Sequence, residues 1–358
     1  MKRVFVSDCE GPISKNDNAF ELTAHFVPDG DNLFSIVSKY DDVLADVVKK
    51  PGYNAGDTLK LILPFLKAYE VTDKKMQEFS AQNLLLIAGS KDTLKHIRSL
   101  SDAFIVSTSY EHYIRVLCKT LEFPFENTYC TRFSLNKYAI TQQETIQLKE
   151  KAQEISSMPM ITIPPKAKSL KDFSNRDQET VKRLDKIFWM EIAGMDCGRI
   201  FSEVKTVGGV QKAQAIREVV SKFLLPLSSV MYVGDSITDV EAFRLVRENG
   251  GLTVSFNGND YAVRNAEIAI LAENNTVTAI LADVFLKHGK AQTLKLAESK
   301  STQALKNRIV SPDLAERFST NHAFPKVQIV TAQNMELLSK ESSEYRKKVR
   351  GEAVGKLG

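Results

Sequence analysis

Apolar positions recur along the chain with two different periods. Residues 3–7 (RVFVS) form a β-branched run that reads as a short buried strand, stopped at Asp8 and turned at Gly11-Pro12. Over residues 15–88 the period lengthens. Leu33, Ile36, Val37 and Tyr40, then Val43, Val47, Leu59, Ile62, Leu63 and Leu66, recur at helical spacing and predict a mostly helical stretch, with Asp57 or Thr58 as a later cap. A short helix follows over 91–100, a buried strand over 103–106 (AFIV) and a helix over 110–121. The alternation in "RFSLNKYAIT" predicts a hairpin within 127–142.

Thr141 and Glu144 have the spacing of a capping box and open a helix to about residue 156. "MITIPP" is a short strand or extended piece, "KAKSLKDFSNRD" a polar loop, and 177–193 an amphipathic helix holding the only tryptophan, Trp189. Beyond Gly208-Gly209 come a helix over 210–222, a strand over 229–233, a helix over 238–248, strands over 252–256 and 268–271, and a helix over 275–287. From residue 89 this alternation predicts a parallel α/β sheet. Residues 293–310 read as a helix. Residues 325–351 read as a short strand-like piece and another helix, docked on the core or on a dimer partner. The closing KKVRGEAVGKLG is expected to fray.

A length of 358 residues suits two domains, or one core with large insertions. With 43% hydrophobic and 26% charged residues, a packed core is affordable and whole-chain disorder is excluded. The net charge of +4 gives no argument for nucleic acid. It is unevenly placed: residues 290–358 hold 13 Lys+Arg against 7 Asp+Glu, so the rest of the chain is slightly acidic. That tail reads as a solvated, partly mobile segment, with a partner-binding arm as the alternative. Cys9, Cys118, Cys130 and Cys197 form no C-x-x-C pair, which suggests reduced thiols and a cytoplasmic protein. The first residues lack the apolar run of a signal peptide, and no stretch reaches membrane-spanning length.

Four segments carry chemistry at strand ends. In VFVSDCEGP, Asp8 and Glu10 lie two apart on an extended chain, so both carboxylates share a face and can serve as nucleophile and proton donor. In FIVSTSY, Ser107 and the following N–H suit a phosphate oxygen. In GGVQKAQAI, Lys212 offers a point charge in the first turn of a helix. In VMYVGDSITDVEAF, Asp235 and Asp239 present carboxylates four residues apart, a spacing that suits Mg²⁺. Taken singly, these also read as turn acids, a serine cap, a surface lysine and a capped helix. Together, in this order, they resemble the haloacid dehalogenase (HAD) superfamily of phosphohydrolases, and within it the phosphoserine-phosphatase-like branch, whose strand ending in Phe-Asn corresponds to Phe256-Asn257.

The resemblance implies a Rossmann-like HAD core with a parallel sheet over 1–14, 89–140 and 204–289. It also implies an inserted helical cap over 15–88, a second insertion over 141–203 that could be a second cap, and a basic C-terminal extension over 290–358. It implies a Mg²⁺-dependent phosphomonoesterase acting on a small cytoplasmic phosphate ester. Asp8 would be the nucleophile, Glu10 the acid and base, and Ser107, Thr108 and Lys212 the phosphate holders. The metal would sit among Asp8, the Glu10 carbonyl and Asp235, with Asp239 in the same cluster. Asn257 and Glu21 are further candidate substrate or site contacts. Glu10 stands where the family usually has Asp. The stretch 15–88 holds eight Lys and no Arg, which counts against phosphoserine, because similar phosphatases use a cap arginine. Alternatives are a phosphotransferase using the same intermediate, or a non-enzymatic accessory subunit. No nucleic-acid or membrane partner is expected, and a homodimer stays open.

Overall fold

A computed structural model describes residues 2–299, 309–319, 325–355 and 357. Its frame is a seven-stranded sheet: β1 (Val4–Ser7), β2 (Ala103–Tyr110), β3 (Thr128–Thr131), β4 (Val230–Gly234), β5 (Leu252–Phe256), β6 (Ile268–Leu271) and β7 (Lys326–Ile329). The spatial order is β3-β2-β1-β4-β5-β6-β7. The first six strands are parallel, and β7 closes one edge antiparallel to β6. Parallel strands are covered on both faces, which is why these read as unbroken apolar runs. Neighbouring residues then serve opposite layers. Phe5, Met231 and Val233 pack against the helices Ser90–Leu100, Glu111–Leu121 and Thr276–His288, while Val4, Val6 and Tyr232 pack against Val210–Lys222 and Val240–Glu248.

A helical lobe stands apart from the sheet layers. Residues from 19–76 and from 135–204 share one buried cluster in it, with Tyr40 stacked on Phe188 and Phe65 set edge-on to the same ring. Trp189 Nε1 donates to Tyr40 Oη (2.8 Å), joining the two segments. The capping box at Thr141 forms and opens the helix Gln142–Ser156, and the helix Asn175–Lys186 runs on into a π-helical turn, Ile187–Ile192. "MITIPP" pairs with no strand, and the lysines of the following loop are exposed.

Three expectations need correction. No hairpin forms within 127–142: only Thr128–Thr131 is a strand, and it pairs parallel with β2. Beyond it Leu135 and Tyr138 are drawn into the lobe, and the Leu135 N–H is held by Asp73 (2.6 Å), so no strand returns. In the closing segment Val354 and Leu357 are buried in the lobe's cluster rather than frayed, while residues 356 and 358 lie outside the described residues. Nor is the basic extension a solvated arm. Its helix Met335–Arg350 docks on the core of its own chain, with Leu338 packed against Val263, Ala269 and Leu271. Of the helix expected over 293–310, the helix Lys290–Glu298 covers the start, and residues 300–308 lie outside the described residues. Among the described residues, no helix is long and apolar enough to cross a membrane. All four cysteines are buried and unpaired.

Candidate active site

The C-terminal ends of β1, β2 and β4 meet at one point, where open α/β sheets form a crevice. The Asp8 N–H extends the sheet ladder by donating to the Val233 carbonyl (2.8 Å), so its side chain leaves the strand at a fixed place. Its Oδ1 accepts from the Cys9 N–H (2.6 Å) and its Oδ2 from Lys212 Nζ (2.6 Å). The Lys212 ammonium also donates to Asp239 Oδ1 (2.7 Å), and no part of the lysine is exposed. Burial opposes its charge, but the carboxylates of Asp239 and Asp8 outweigh that and raise its pKa. Burial pushes Asp8 up to about 7, against the pull of Lys212.

Asp239 is fully engaged. Its Oδ1 accepts from Lys212 and from Tyr232 Oη (2.6 Å), and its Oδ2 accepts from the N–H groups of Asp235 (2.9 Å) and Ser236 (3.0 Å). Four donors use the lone pairs of a carboxylate. Asp8, Asp235 and Asp239 nonetheless form one buried group whose carboxylate oxygens lie within 4.8 Å of one another. Two glycines permit this crowding. A Cβ on Gly11, at φ +99°, would meet Asp235 Oδ2 at 2.1 Å, and one on Gly234 would meet Asp239 Cγ at 2.5 Å.

Glu10 points toward the lobe, where its Oε1 accepts from the Asn18 N–H (2.7 Å). Burial, then the charge of Asp17, raises its pKa well above the usual carboxylate range. Ser107–Ser109 sit where β2 slips register against β3, between Val106 and Tyr110. Ser107 Oγ donates to Ser109 Oγ (3.1 Å) and accepts from the Ser109 N–H (3.2 Å). Thr108 Oγ1 is buried without a partner. A cavity of about 100 Å³ is lined by Asp8, Glu10, Ser107, Thr108 and Asp235, and from the lobe by Phe34, Ser38, Asp41 and Leu59.

The structure thus brings Asp8, Glu10, Ser107, Thr108, Lys212, Asp235 and Asp239 to one place. It does not bring Glu21 or Asn257 to the cavity wall. Glu21 accepts from Asn16 Nδ2 (2.8 Å), and Asn257 ties down the chain by bonding the N–H (2.9 Å) and carbonyl (2.7 Å) of Ala272. Among the cavity-wall residues that escaped the sequence reading, two bring positive charge: Arg346 and Arg350, from the C-terminal helix. Both guanidinium groups donate to Asp235 Oδ2, Arg350 from Nη1 at 3.1 Å. Their signal was present. Leu338, Ser342, Arg346 and Arg350 are spaced four apart, so the arginines continue a stripe that begins apolar.

No protein-family profile matches the chain, and no curated protein sequence matches it. Among solved structures, gene product AF1437 from Archaeoglobus fulgidus is similar over 100% of this chain and 99% of its own, with a TM-score of 0.80 and 23% identity. A substrate-bound phosphoserine phosphatase matches 76% of this chain and 95% of its own, with a TM-score of 0.44 and 11% identity. A phospho-aspartyl intermediate analogue of phosphoserine phosphatase matches 75% and 92%, with a TM-score of 0.42 and 11% identity. The first shows a shared fold across the whole chain; the other two carry no argument about activity.

Proposed function

We propose that this chain is a HAD-type phosphomonoester hydrolase working through an aspartyl phosphate on Asp8. The observation that carries the reading is the fully buried Lys212 bridging Asp8 and Asp239, directly behind a cavity lined by Asp8, Glu10 and Thr108, whose hydroxyl has no partner. Buried charges are costly, and an ammonium buried between two carboxylates at strand ends is hard to account for by stability alone.

The steps follow from the placement. A carboxylate oxygen of Asp8 attacks phosphorus, and the bond from phosphorus to the ester oxygen breaks. Glu10 gives its proton to that oxygen, so the alcohol leaves neutral. Glu10, now ionised, takes a proton from water, and the resulting hydroxide attacks the phosphorus of the aspartyl phosphate. The bond to Asp8 breaks, and inorganic phosphate and the starting carboxylate are restored. Ser107, Thr108 and Lys212 hold the phosphoryl oxygens and offset their charge, which is most of what phosphoryl transfer requires. The donor set fits a hard divalent cation: Asp8 and Asp235 would hold Mg²⁺, and Asp239, with its lone pairs taken, would anchor Lys212 and the turn behind them. Such an ion supplies positive charge against the phosphoryl group and favours ionised Asp8.

The test is phosphate release from a panel of small phosphomonoesters, with Mg²⁺ and with EDTA, beside Asp8→Asn. Mg²⁺-dependent release that falls by a factor on the order of 10⁴ in Asp8→Asn is the expected result. A folded protein that releases no phosphate from any ester overturns the reading.

A further inference from the structure

The C-terminal helix crosses from the sheet to the lobe over the mouth of the site. Leu338 fixes its start to the core, and one turn later Ser342 Oγ donates to the Gly258 carbonyl (2.6 Å). Another turn brings Arg346, buried, with Nη1 on the carboxylate of Asp235 and on its main-chain carbonyl (3.2 Å). The next brings Arg350 to the same carboxylate oxygen. Its Nε donates to the Lys15 carbonyl (3.0 Å) and its Nη2 to the Asn16 carbonyl. The chain then turns at Glu352–Gly355 and seats Val354 and Leu357 in the lobe, where the Leu357 carbonyl accepts from Arg346 Nη2 (3.4 Å).

These guanidinium groups are not free to grip a substrate. Each nitrogen of Arg350 already has an acceptor, and of Arg346's three nitrogens only Nε is without a partner. What they do is neutralise Asp235. Two guanidinium groups carry the charge of one divalent cation, and both sit on Oδ2 of the carboxylate such a cation would share. Placing the ion beside both would gather four positive charges around one buried carboxylate, where repulsion is little screened. We infer that the helix Met335–Arg350 is a strap whose Arg346 and Arg350 exclude a divalent cation from Asp235, so that cation binding and release of the strap's distal half are coupled. This rests on reading Asp8 and Asp235 as cation ligands. The strap stays tethered throughout, because β7 remains paired to β6 ahead of it.

The test uses Mn²⁺ alone, so turnover is not the readout. Free Mn²⁺ is followed by electron paramagnetic resonance during titration of the full chain and of the Arg346→Gln/Arg350→Gln protein. The variant is expected to bind at least about tenfold more tightly, a coupling of ordinary size. In the wild type, hydrogen exchange at residues 343–355 is expected to speed up at saturating Mg²⁺. Equal or weaker Mn²⁺ binding by the variant overturns the inference, as does exchange that slows or stays unchanged when the ion binds. If the variant does not fold, wild-type exchange decides. Equal binding accompanied by phosphate release sinks the strap and leaves the phosphatase. Binding by neither protein sinks the strap together with the metal-dependent reading.

Discussion

Asp239 and Asp235 stand four residues apart after β4, and each is matched by buried cations in an opposite way. Asp239 meets Lys212, whose helix packs directly on the sheet, and tyrosine and backbone donors complete its shell. Asp235 meets two arginines that arrive 111 and 115 residues later on a helix laid over the finished fold. The inner pair is part of the core's construction. The outer pair is a docked contact that can be undone without opening the sheet. The same fold therefore holds one permanent neutralisation and one removable one, side by side.

The contrast can be broken by experiment. Lys212→Met leaves Asp8 and Asp239 buried without their cation and should cost about 3–5 kcal/mol in urea unfolding. Arg346→Met leaves Asp235 still held by Arg350 and should cost less, about 1–3 kcal/mol. Equal losses would erase the distinction between built-in and docked charge.

A third group sharpens it from outside the site. In the lobe, Arg183 donates to Glu154 (2.5 and 2.7 Å) and to Glu191 (2.6 Å), and Lys151 also pairs with Glu191. Hydrogen bonds from Arg183 and Lys151 hold the Glu191 pKa down to about 2. A carboxyl held below its unfolded value near 4.5 adds stability above that value and loses it as pH falls toward 2. The partners are partly exposed, so the contribution should be under about 1 kcal/mol. Trp189, two residues away, reports it: its fluorescence should shift between pH 4.5 and 2, and Glu191→Gln should abolish that transition.

These differences also explain what could be read in advance. β1, β2 and β4 and the residues just past them, Asp8, Ser107 and Asp235, announce themselves locally, because a buried parallel strand and its turn are written in consecutive residues. Lys212 is nearly as plain, following two glycines at a helix start. The hairpin expected after Thr131 failed because local alternation could not show that Leu135 and Tyr138 belong to a core completed by distant helices. Arg346 and Arg350 were hidden for the same reason. In a segment with six excess positive charges, two arginines look solvated until the stripe from Leu338 is followed to its end.

The strand order has a consequence for how the chain is assembled as it is synthesised. β1 lies inside the sheet, yet its neighbours come from far along the chain: Phe5 pairs with Ala103, and Val4 with Val230. Both segments of the lobe are translated before β4 is. The ribosome therefore delivers both of these segments while one side of β1 is still a bare strand edge, the kind of surface on which nascent chains go astray.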